Sequence, residues 1–328
     1  MKFTGKSAVL TAITSLLAGL LVVMLPLATW AADPCDRACL EHHVDAYIDA
    51  MIAHDPGRLA LALDARYTEN DQELRFGDGL WNTTSGRGKY RLFVADTDSG
   101  EVGFFGTVLE NGTPLLIALR LRVDEQLITE AETIAARYSA GSPFPNAGEA
   151  LDKKGQPRPQ FLQTVPKSRR MSREDLIRIG NSYFTGLANN TGRNAAPFAD
   201  TCNRWENGMQ TTNSPGNIQG YDVVGMSCRA QQESGFFSFV TSIRNRRFPI
   251  VDRERGLVLA FGFFEHNAKD REIHLANGKT VPNVLNSPTT LYIAELFEIR
   301  DSKIDQIEAV LTTVPYGMKA DVWDRKNR

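Results

Sequence analysis

The pairs Glu69-Asn70 and Glu206-Asn207 each place an amide residue directly after an acidic one. A carboxylate in apolar surroundings suits proton transfer, because burial raises its pKa, and an amide can orient a carbonyl or hydroxyl group. We therefore predict that Glu206 is catalytic and Asn207 binds substrate, with Glu69 and Asn70 as binding residues. Adjacent strand residues point to opposite faces, so both members of a pair cannot face one pocket in a regular strand. The alternative is that each Asn caps a turn at the strand end.

A further carboxylate, Glu295, interrupts an apolar strand pattern in which Ile293 and Phe297 share its face. A carboxylate in that position must be paired, neutral or turned towards an opening, which makes Glu295 a second catalytic candidate. The alternative is an ion pair with a nearby arginine, such as Arg244, Arg246 or Arg247.

His266 lies at the end of another apolar strand and borders a long irregular stretch. Imidazole carries protons near neutral pH, so His266 is predicted to assist catalysis. A surface histidine at a loop end is the alternative.

Arginine and aromatic side chains near these acids could hold a substrate. Arg204 precedes Glu206 by two residues, and its guanidinium could polarise a substrate oxygen. Trp81, Trp205 and Phe237 are predicted to line a pocket for an apolar or aromatic molecule. The competing interpretation is that these aromatic residues belong to the core.

Four cysteines follow the N-terminal segment: Cys35, Cys39, Cys202 and Cys228. An even number favours disulfides in an exported chain, and the simplest of the three possible pairings joins Cys35 to Cys39 and Cys202 to Cys228. A metal site is the weaker interpretation, because no histidine was expected at ligand spacing beside either pair. The sequence also lacks a phosphate loop, a dinucleotide fingerprint and a nucleophile elbow, so neither a cofactor nor a metal is expected.

One set of landmarks occurs twice along the chain, in the same order. Apolar residues recur at helical spacing over residues 40–52 and 176–187, and segments rich in Val, Ile, Phe and Leu follow each helix. The matched strand segments are 100–106 and 256–264, 117–121 and 293–297, and 127–132 and 303–308. Helices followed by a meander of long antiparallel strands predict an α+β domain, with the helices packed on one sheet face.

The duplication divides the chain into a leader (1–32), a first domain (33–138), a Pro- and Gly-rich linker (139–170) and a second domain (171–328). In the leader, Lys2 and Lys6 precede an apolar run over residues 8–27, as in a secretory signal peptide. Cleavage near Ala31 or Ala32 predicts an exported protein, periplasmic or secreted, without stable membrane insertion. An uncleaved anchor is the alternative, because the apolar run is nearly long enough to span a bilayer.

The charge balance bears on possible partners. The net charge is −2, from 37 basic and 39 acidic residues, whereas nucleic-acid binding normally requires a basic stripe. A nucleic-acid partner is therefore not expected, and the expected partner is a small molecule.

The order of helices, a strand that ends in Glu-Asn, and a curved antiparallel sheet resembles the SnoaL-like, nuclear-transport-factor-two-like superfamily. The resemblance covers residues 36–136 and 172–314 and includes no diagnostic catalytic motif. It implies two tandem cone-shaped domains, each with a sheet folded around a pocket, and a pseudo-dimer within one chain. Members include isomerases, dehydratases and cyclases as well as non-catalytic binding modules, so the fold alone does not decide function.

On these grounds the sequence predicts an exported, cofactor-independent lyase or isomerase that uses acid–base chemistry on a small apolar or aromatic molecule. The second domain is expected to be the active one, because it carries Glu295, His266 and the long irregular stretch. The alternatives are a non-catalytic protein that binds a small ligand and an assembly module.

Overall fold

The computed structural model describes residues 1–2, 5, 35–137, 147–188, 190–218, 220–283, 285–319 and 322–323. The predicted leader and its cleavage site lie almost entirely outside these residues. Residues 34–328 form one unit, distinct from residues 1–33, and this unit contains every helix and strand of the described chain. No helix among the described residues is long and apolar enough to cross a membrane.

Helices are few and strands are long. The α-helices are α1 (Arg37–Ile52), α2 (Ala147–Lys154), α3 (Arg173–Ala188) and α4 (Cys228–Glu233). The strands of the first half are β1 (Leu61–Glu69), β2 (Gln72–Leu74), β3 (Thr84–Asp96), β4 (Glu101–Glu110), β5 (Thr113–Asp124) and β6 (Leu127–Ala136). Those of the second half are β7 (Phe198–Glu206), β8 (Met209–Gln210), β9 (Ser242–Asp252), β10 (Leu257–His266), β11 (Glu272–His274), β12 (Thr280–Pro282), β13 (Thr289–Arg300) and β14 (Lys303–Val314).

Each half builds a six-stranded sheet with the same strand order. The orders are β2-β1-β6-β5-β4-β3 and β8-β7-β14-β13-β10-β9, and β11 with β12 forms a separate hairpin. The predicted α+β class with two tandem domains is therefore confirmed. The sheets are not wholly antiparallel, because β1 pairs with β6, and β7 with β14, in parallel. Short turns join neighbouring strands of the meander, except that residues 267–288 with the β11–β12 hairpin connect β10 to β13. The strand before each meander adds to its free edge.

The long helices form where the sequence predicts them. The side chain of Asp36 caps α1 by accepting a hydrogen bond from the Cys39 backbone N–H at 2.9 Å. Ser172 does the same for α3, accepting from the Asp175 N–H at 3.1 Å. Each helix then buries one apolar face against the sheet of its own half.

Three apolar cores alternate with the two sheets. One lies between α1 and the first sheet, one between α3 and the second sheet, and the third lies between the sheets. Strand β13 shows how the alternation works: Ile293 and Phe297 face α3, whereas Tyr292 and Leu296 face the first half. Both faces of each sheet are therefore covered, which explains strands such as β4 and β10 that are buried along nearly their whole length.

The segment between the two halves packs against them. Its described part starts with α2 and continues through short helical turns at Pro159–Leu162 and Lys167–Arg169. Leu151 and Phe161 are buried in the core between the sheets. The Pro- and Gly-rich composition thus belongs to a segment that contributes to this core.

The two disulfides are the ones that the simplest pairing predicts. Cys35 is joined to Cys39 at the start of α1, and Cys202 of β7 is joined to Cys228 of α4. The second bridge ties the turn-rich segment after β8 to the sheet of the second half.

Candidate functional site

Strand register places Glu206 and Glu295 on one face of the second sheet. Glu206 is paired with Ala309 of β14, and Ala309 is paired with Glu295 of β13. Residues directly opposite each other on paired strands point to the same face. The two carboxylates are therefore separated by one strand, about 10 Å between Cα atoms, with only a small Ala side chain between them.

Glu295 is enclosed by the core beneath α3. It is 2% exposed, and its neighbours on the same face of β13 are Ile293 and Phe297. Burial raises the pKa of Glu295 to about 8, and the negative charge of Glu206 adds to this effect. Glu295 is therefore a carboxylic acid, not a carboxylate, at neutral pH.

A tyrosine and an arginine connect the two acids. Tyr183 of α3 lies beside Glu295, and its hydroxyl group lowers the pKa of Glu295 in opposition to burial. Arg204 of β7, which is 4% exposed, donates from Nη1 to the Tyr183 hydroxyl at 3.2 Å. Its Nε lies 3.2 Å from a carboxylate oxygen of Glu206 and also donates to Thr211 Oγ1 at 3.0 Å. We call Glu295, Tyr183, Arg204 and Glu206 the polar cluster of the second domain.

The polar cluster extends from the protein surface into the core. The side chain of Glu206 is 23% exposed, whereas Glu295 is enclosed. The Phe237 ring covers Arg204, with its centroid 5.2 Å from the guanidinium carbon. Phe237 lies on the short helical turn Phe236–Phe239, which closes this end of the domain.

In the first domain, the positions that match Glu295 and Arg204 carry other residues. In its matching row Glu69 is paired with Thr133, and Thr133 with Leu119, so Leu119 stands where the second domain has Glu295. Tyr67 occupies the position of Arg204. Glu69 itself is bound to Arg137 at 2.6 Å and accepts the Leu80 backbone N–H at 2.6 Å. It therefore has partners that fix it in place.

The alternative considered for Glu295, an ion pair with Arg244, Arg246 or Arg247, does not occur. Arg244 pairs with Glu265 of β10, and Arg247 pairs with Glu132 of β6 in the first sheet. Arg204, which comes from a different strand, supplies the nearby positive charge.

Both Asn residues bind backbone. Asn207 has a positive φ of 44°, donates from its side chain to Leu311 O at 2.9 Å and accepts from Leu311 N at 2.9 Å. Asn70 has a φ of 51° and accepts from Ala135 N at 2.9 Å. Each amide thus continues the parallel pairing beyond the strand end, which corresponds to the turn-capping alternative. We leave both residues out of the proposed site.

The structure separates His266 from the carboxylates. It lies on the same face of β10 as Ala260, the partner of Glu295, but six residues further along, about 20 Å in a regular strand. Its ring packs on Phe239 at 5.6 Å, and burial lowers its pKa to about 4. A neutral histidine at that distance does not assist proton transfer at Glu295.

The two tryptophans lie elsewhere. Trp81 is fully buried in the first core, where its Nε1 donates to the Tyr47 hydroxyl at 3.2 Å. Trp205 is on the opposite face of β7 from Arg204 and Glu206, and it stacks under the Arg158 guanidinium at 3.4 Å. Of the predicted aromatic residues, only Phe237 contacts the polar cluster.

Glu132 and Glu308 occupy matched positions in the last strand of each sheet, and both are buried between the halves. Arg247 Nη2 donates to Glu132 at 2.5 Å, and Glu132 also contacts Arg120 at 2.7 Å. Glu308 accepts from Arg158 at 2.7 Å and from the Tyr90 hydroxyl at 2.6 Å. Their recurrence at equivalent positions of the two copies is a signal in the sequence that could have indicated this shared structural role.

Cys35, Cys39 and His43 are a group, within the described residues, whose ligand atoms lie within 4.8 Å of one another. The expectation that no histidine has ligand spacing was wrong, because His43 follows Cys39 by one helical turn. The two sulfur atoms are joined in a disulfide, so they provide no thiolate ligands in this state.

The largest cavity that we describe has a volume of about 890 Å³ and lies between the two halves. Two smaller ones, of about 330 and 60 Å³, lie near Asp252 and near Met171. None of these three is lined by Glu206, Glu295 or His266. In this conformation the polar cluster is packed within the domain.

Residues 169–311 match a family model described as Domain of unknown function (DUF8021). No curated protein matches the chain. An NTF2-like protein of unknown function from Cytophaga hutchinsonii ATCC 33406 is similar at 10% sequence identity with a TM-score of 0.25, and the match covers 29% of this chain and 88% of that protein. A protein of unknown function with a cystatin-like fold from Methylobium petroleophilum PM1 is similar at 17% sequence identity with a TM-score of 0.28, and the match covers 42% of this chain and 99% of that protein. Similarities this weak carry no functional argument, so the fold class rests on the strand order of the two sheets.

Proposed function

We propose that this protein is an exported, cofactor-independent lyase or isomerase, and that its reaction takes place at the polar cluster of the second domain. The observation that carries the proposal is the asymmetry between the copies. Glu295, Arg204 and Tyr183 form a connected polar group on a core face where the first domain has Leu119 and Tyr67 in two of the matched positions. Burying a carboxyl group is costly, and this one is not needed to build the same sheet.

The two acids have complementary protonation states. Glu295 keeps its proton at neutral pH, because burial raises its pKa to about 8. Glu206 lies at ion-pair distance from Arg204, 3.2 Å from its Nε, and we assign it the role of the base. Two acids on one face, one protonated and one ionised, form an acid–base pair.

In a dehydration, the Glu206 carboxylate would take a proton from the carbon next to a carbonyl group. Glu295 would give its proton to the hydroxyl group on the following carbon, which leaves as water while the C=C bond forms. Glu206 ends protonated and Glu295 ionised, and exchange with solvent at the partly exposed Glu206 restores both. In a double-bond isomerisation the same two residues would take the proton from one carbon and return one to another.

Substrate entry would require the Phe236–Phe239 turn to move, since Phe237 covers Arg204. The turn contains no long helix or strand, and the Cys202–Cys228 bridge ties the preceding segment to β7. The Phe237 backbone N–H also donates to Asn190 Oδ1 at 3.0 Å, so opening this cover would break that hydrogen bond.

The test is a screen of β-hydroxy ketones and β,γ-unsaturated ketones, because dehydration of the first and isomerisation of the second both form a conjugated enone that absorbs in the ultraviolet. Glu295→Gln and Glu206→Gln are expected to lower turnover at least about 100-fold, whereas Glu69→Gln in the first domain should retain it. If a turned-over substrate is found and both second-domain variants retain full activity, the assignment of the site is wrong.

A small-ligand-binding protein is the second candidate, because Arg204 and Tyr183 could hold a ligand oxygen without transferring a proton. In that case the same ketones would bind, and Glu295→Gln would change affinity, but no enone would form in the wild-type protein.

Export is part of the proposal and has its own test. The signal-peptide pattern and the two disulfides support it. N-terminal sequencing of the protein recovered from outside the cytoplasm should give a mature start near Asp33; a chain that retains Met1 would support the anchor alternative.

We also propose that one chain supplies the sheet-to-sheet contact of a dimer, since the third core joins the two sheets face to face. Sedimentation should then give the mass of a single chain.

A further inference from the structure

The cleft between the two halves is independent of the polar cluster and has the size of a ligand site. Its volume of about 890 Å³ lies within the range of about 300–1,000 Å³ typical of small-molecule pockets. It is lined by residues of both domains and of the C-terminal segment: Asp98, Ser99, Glu101, Arg120, Arg122, Glu130, Arg173, Asn245, Arg246, Arg247, Phe248, Pro249 and Trp323.

Guanidinium groups dominate this lining, with five arginines against three acidic residues. Two of the arginines form the back wall. Arg120 contacts Glu101, Glu130 and Glu132 at 2.7–2.8 Å, and Arg247 is held by Glu132. These two are neutralised by the protein itself and fix the shape of the cleft.

Arg246 differs from the other arginines of the cleft. Its Nη1 donates to Asn181 Oδ1 at 3.1 Å and to Thr185 Oγ1 at 3.0 Å, and its Nε donates to Ile243 O at 3.0 Å. Within the described residues, no carboxylate lies at ion-pair distance from it. Burial lowers the pKa of Arg246, and no acidic neighbour opposes this. A half-buried cation whose hydrogen-bond partners are all neutral oxygens favours the binding of an anion.

One side of the cleft is apolar. Trp323 is 6% exposed and is fixed by a hydrogen bond from Nε1 to Thr68 Oγ1 at 3.1 Å. The Arg120 guanidinium stacks on its ring at 4.8 Å. Phe248 and Pro249 line the part of the cleft next to Arg246. A ligand there would meet a flat apolar surface beside a guanidinium group.

We propose that this cleft binds a small organic anion, a carboxylate or phosphate group carried on an apolar or aromatic body. The oxyanion would lie against Arg246, and Arg122 and Arg173 line the same cleft. The apolar body would lie along Phe248 and Trp323. Carboxylate and phosphate groups both present a pair of acceptor oxygens that matches the planar donor fork of arginine, so the experiment separates them.

The test measures binding to the mature protein by calorimetry with four probes: benzoate, phenyl phosphate, inorganic phosphate and benzylamine. The aromatic anions should bind, with the tighter of the two identifying the acid group, while inorganic phosphate binds more weakly because it lacks the apolar body. Benzylamine should not bind. Equal binding of benzylamine and benzoate, or no binding of either aromatic anion, would overturn the proposal.

Variants localise the site. Arg246→Gln should weaken aromatic-anion binding at least about tenfold, as expected for loss of a charged hydrogen bond. The matched control is Arg178→Gln on the exposed face of α3, whose side chain is 69% exposed, and it should leave affinity unchanged. If Arg246→Gln does not fold, Arg122→Gln serves instead, since Arg122 pairs with the exposed Asp124 and should weaken binding in the same direction. Unchanged affinity in a folded Arg246→Gln protein would refute the assignment.

The cleft and the polar cluster are tested separately. Glu295→Gln should leave anion binding at the cleft unaffected, and Arg246→Gln should not alter protonation at Glu295. Failure of the proposed reaction therefore leaves this inference standing, and the reverse also holds.

Discussion

Replacing Glu295 by Gln should change how the stability of the protein depends on pH. Glu295 has a pKa of about 8 in the folded protein against an ordinary value of 4.5, which is the value expected in the unfolded chain. Between these values the folded state holds one more proton than the unfolded state, so the free energy of unfolding falls as pH rises. The contribution of this proton is fully present below pH 4.5 and lost as pH rises through 8.

The magnitude follows from the shift. One bound proton changes the free energy of unfolding by about 1.4 kcal/mol per pH unit. Between pH 5 and pH 8 the free energy of unfolding of the wild type should therefore fall by about 4 kcal/mol relative to that of Glu295→Gln. The variant carries a neutral amide of similar shape and does not titrate. The two proteins should therefore be similar in stability near pH 5, and the variant should be the more stable near pH 8.

Urea denaturation followed by tryptophan fluorescence, at unit steps from pH 5 to pH 9, measures this difference. Other buried titrating groups, such as His266 with its pKa lowered to about 4 and Glu298 with its pKa raised to about 7, occur in both proteins and cancel in the comparison. Glu272→Gln, on the exposed face of a short hairpin, is the control and should follow the wild type. Parallel pH profiles of Glu295→Gln and wild type would show that Glu295 is not held protonated, and the acid–base proposal would lose its proton donor.

Three further predictions concern the frame around the site. Glu132→Gln should lower the free energy of unfolding by about 3–5 kcal/mol in urea denaturation, because it leaves the arginines on both sides of a buried carboxylate without their partner. The control Asp124→Asn, in an exposed ion pair, should lower it by less than about 1 kcal/mol. Equal effects of the two substitutions would contradict the argument. Replacing Cys202 and Cys228 by Ser should cost about 3–4 kcal/mol, because the bridge closes a loop with a sequence separation of 26, whereas loss of the N-terminal bridge, with a separation of 4, should cost clearly less. Asn207→Ala should lower the free energy of unfolding by about 2–3 kcal/mol, because of the positive φ and the loss of the buried amide contacts. Asn207→Gly should lower it by about 1 kcal/mol less, because glycine adopts that φ freely. The opposite order would show that the backbone conformation does not matter.

The duplication and much of the fold could be predicted from the sequence, because the information is local. Apolar spacing of 3.6 residues marks α1 and α3, and alternation of apolar residues marks the long strands. Glu295 could be recognised as unusual for the same reason, since an acid on the buried side of an alternating strand conflicts with its surroundings. The within-domain disulfides followed from the order of the cysteines along the chain.

What surrounds Glu295 depended on the tertiary structure. Tyr183 comes from α3 and Arg204 from β7, far from β13 in the sequence, and only the parallel pairing of β7 with β14 places Arg204 within reach. The separation of His266 from the carboxylates was equally invisible, because strand register decides which residues of β10 and β13 lie opposite each other.

The sequence by itself determined the two long helices and the strands β4, β5, β6, β10, β13 and β14, because the apolar spacing that marks them depends on neighbours a few residues apart. Only the tertiary structure decided what covers the outer face of each sheet. Glu132 and Glu308 would face solvent on a single domain, but each is buried because the other half packs over it. The same packing forms the arginine-lined cleft, since its wall requires residues from both halves and from the C-terminal segment at once.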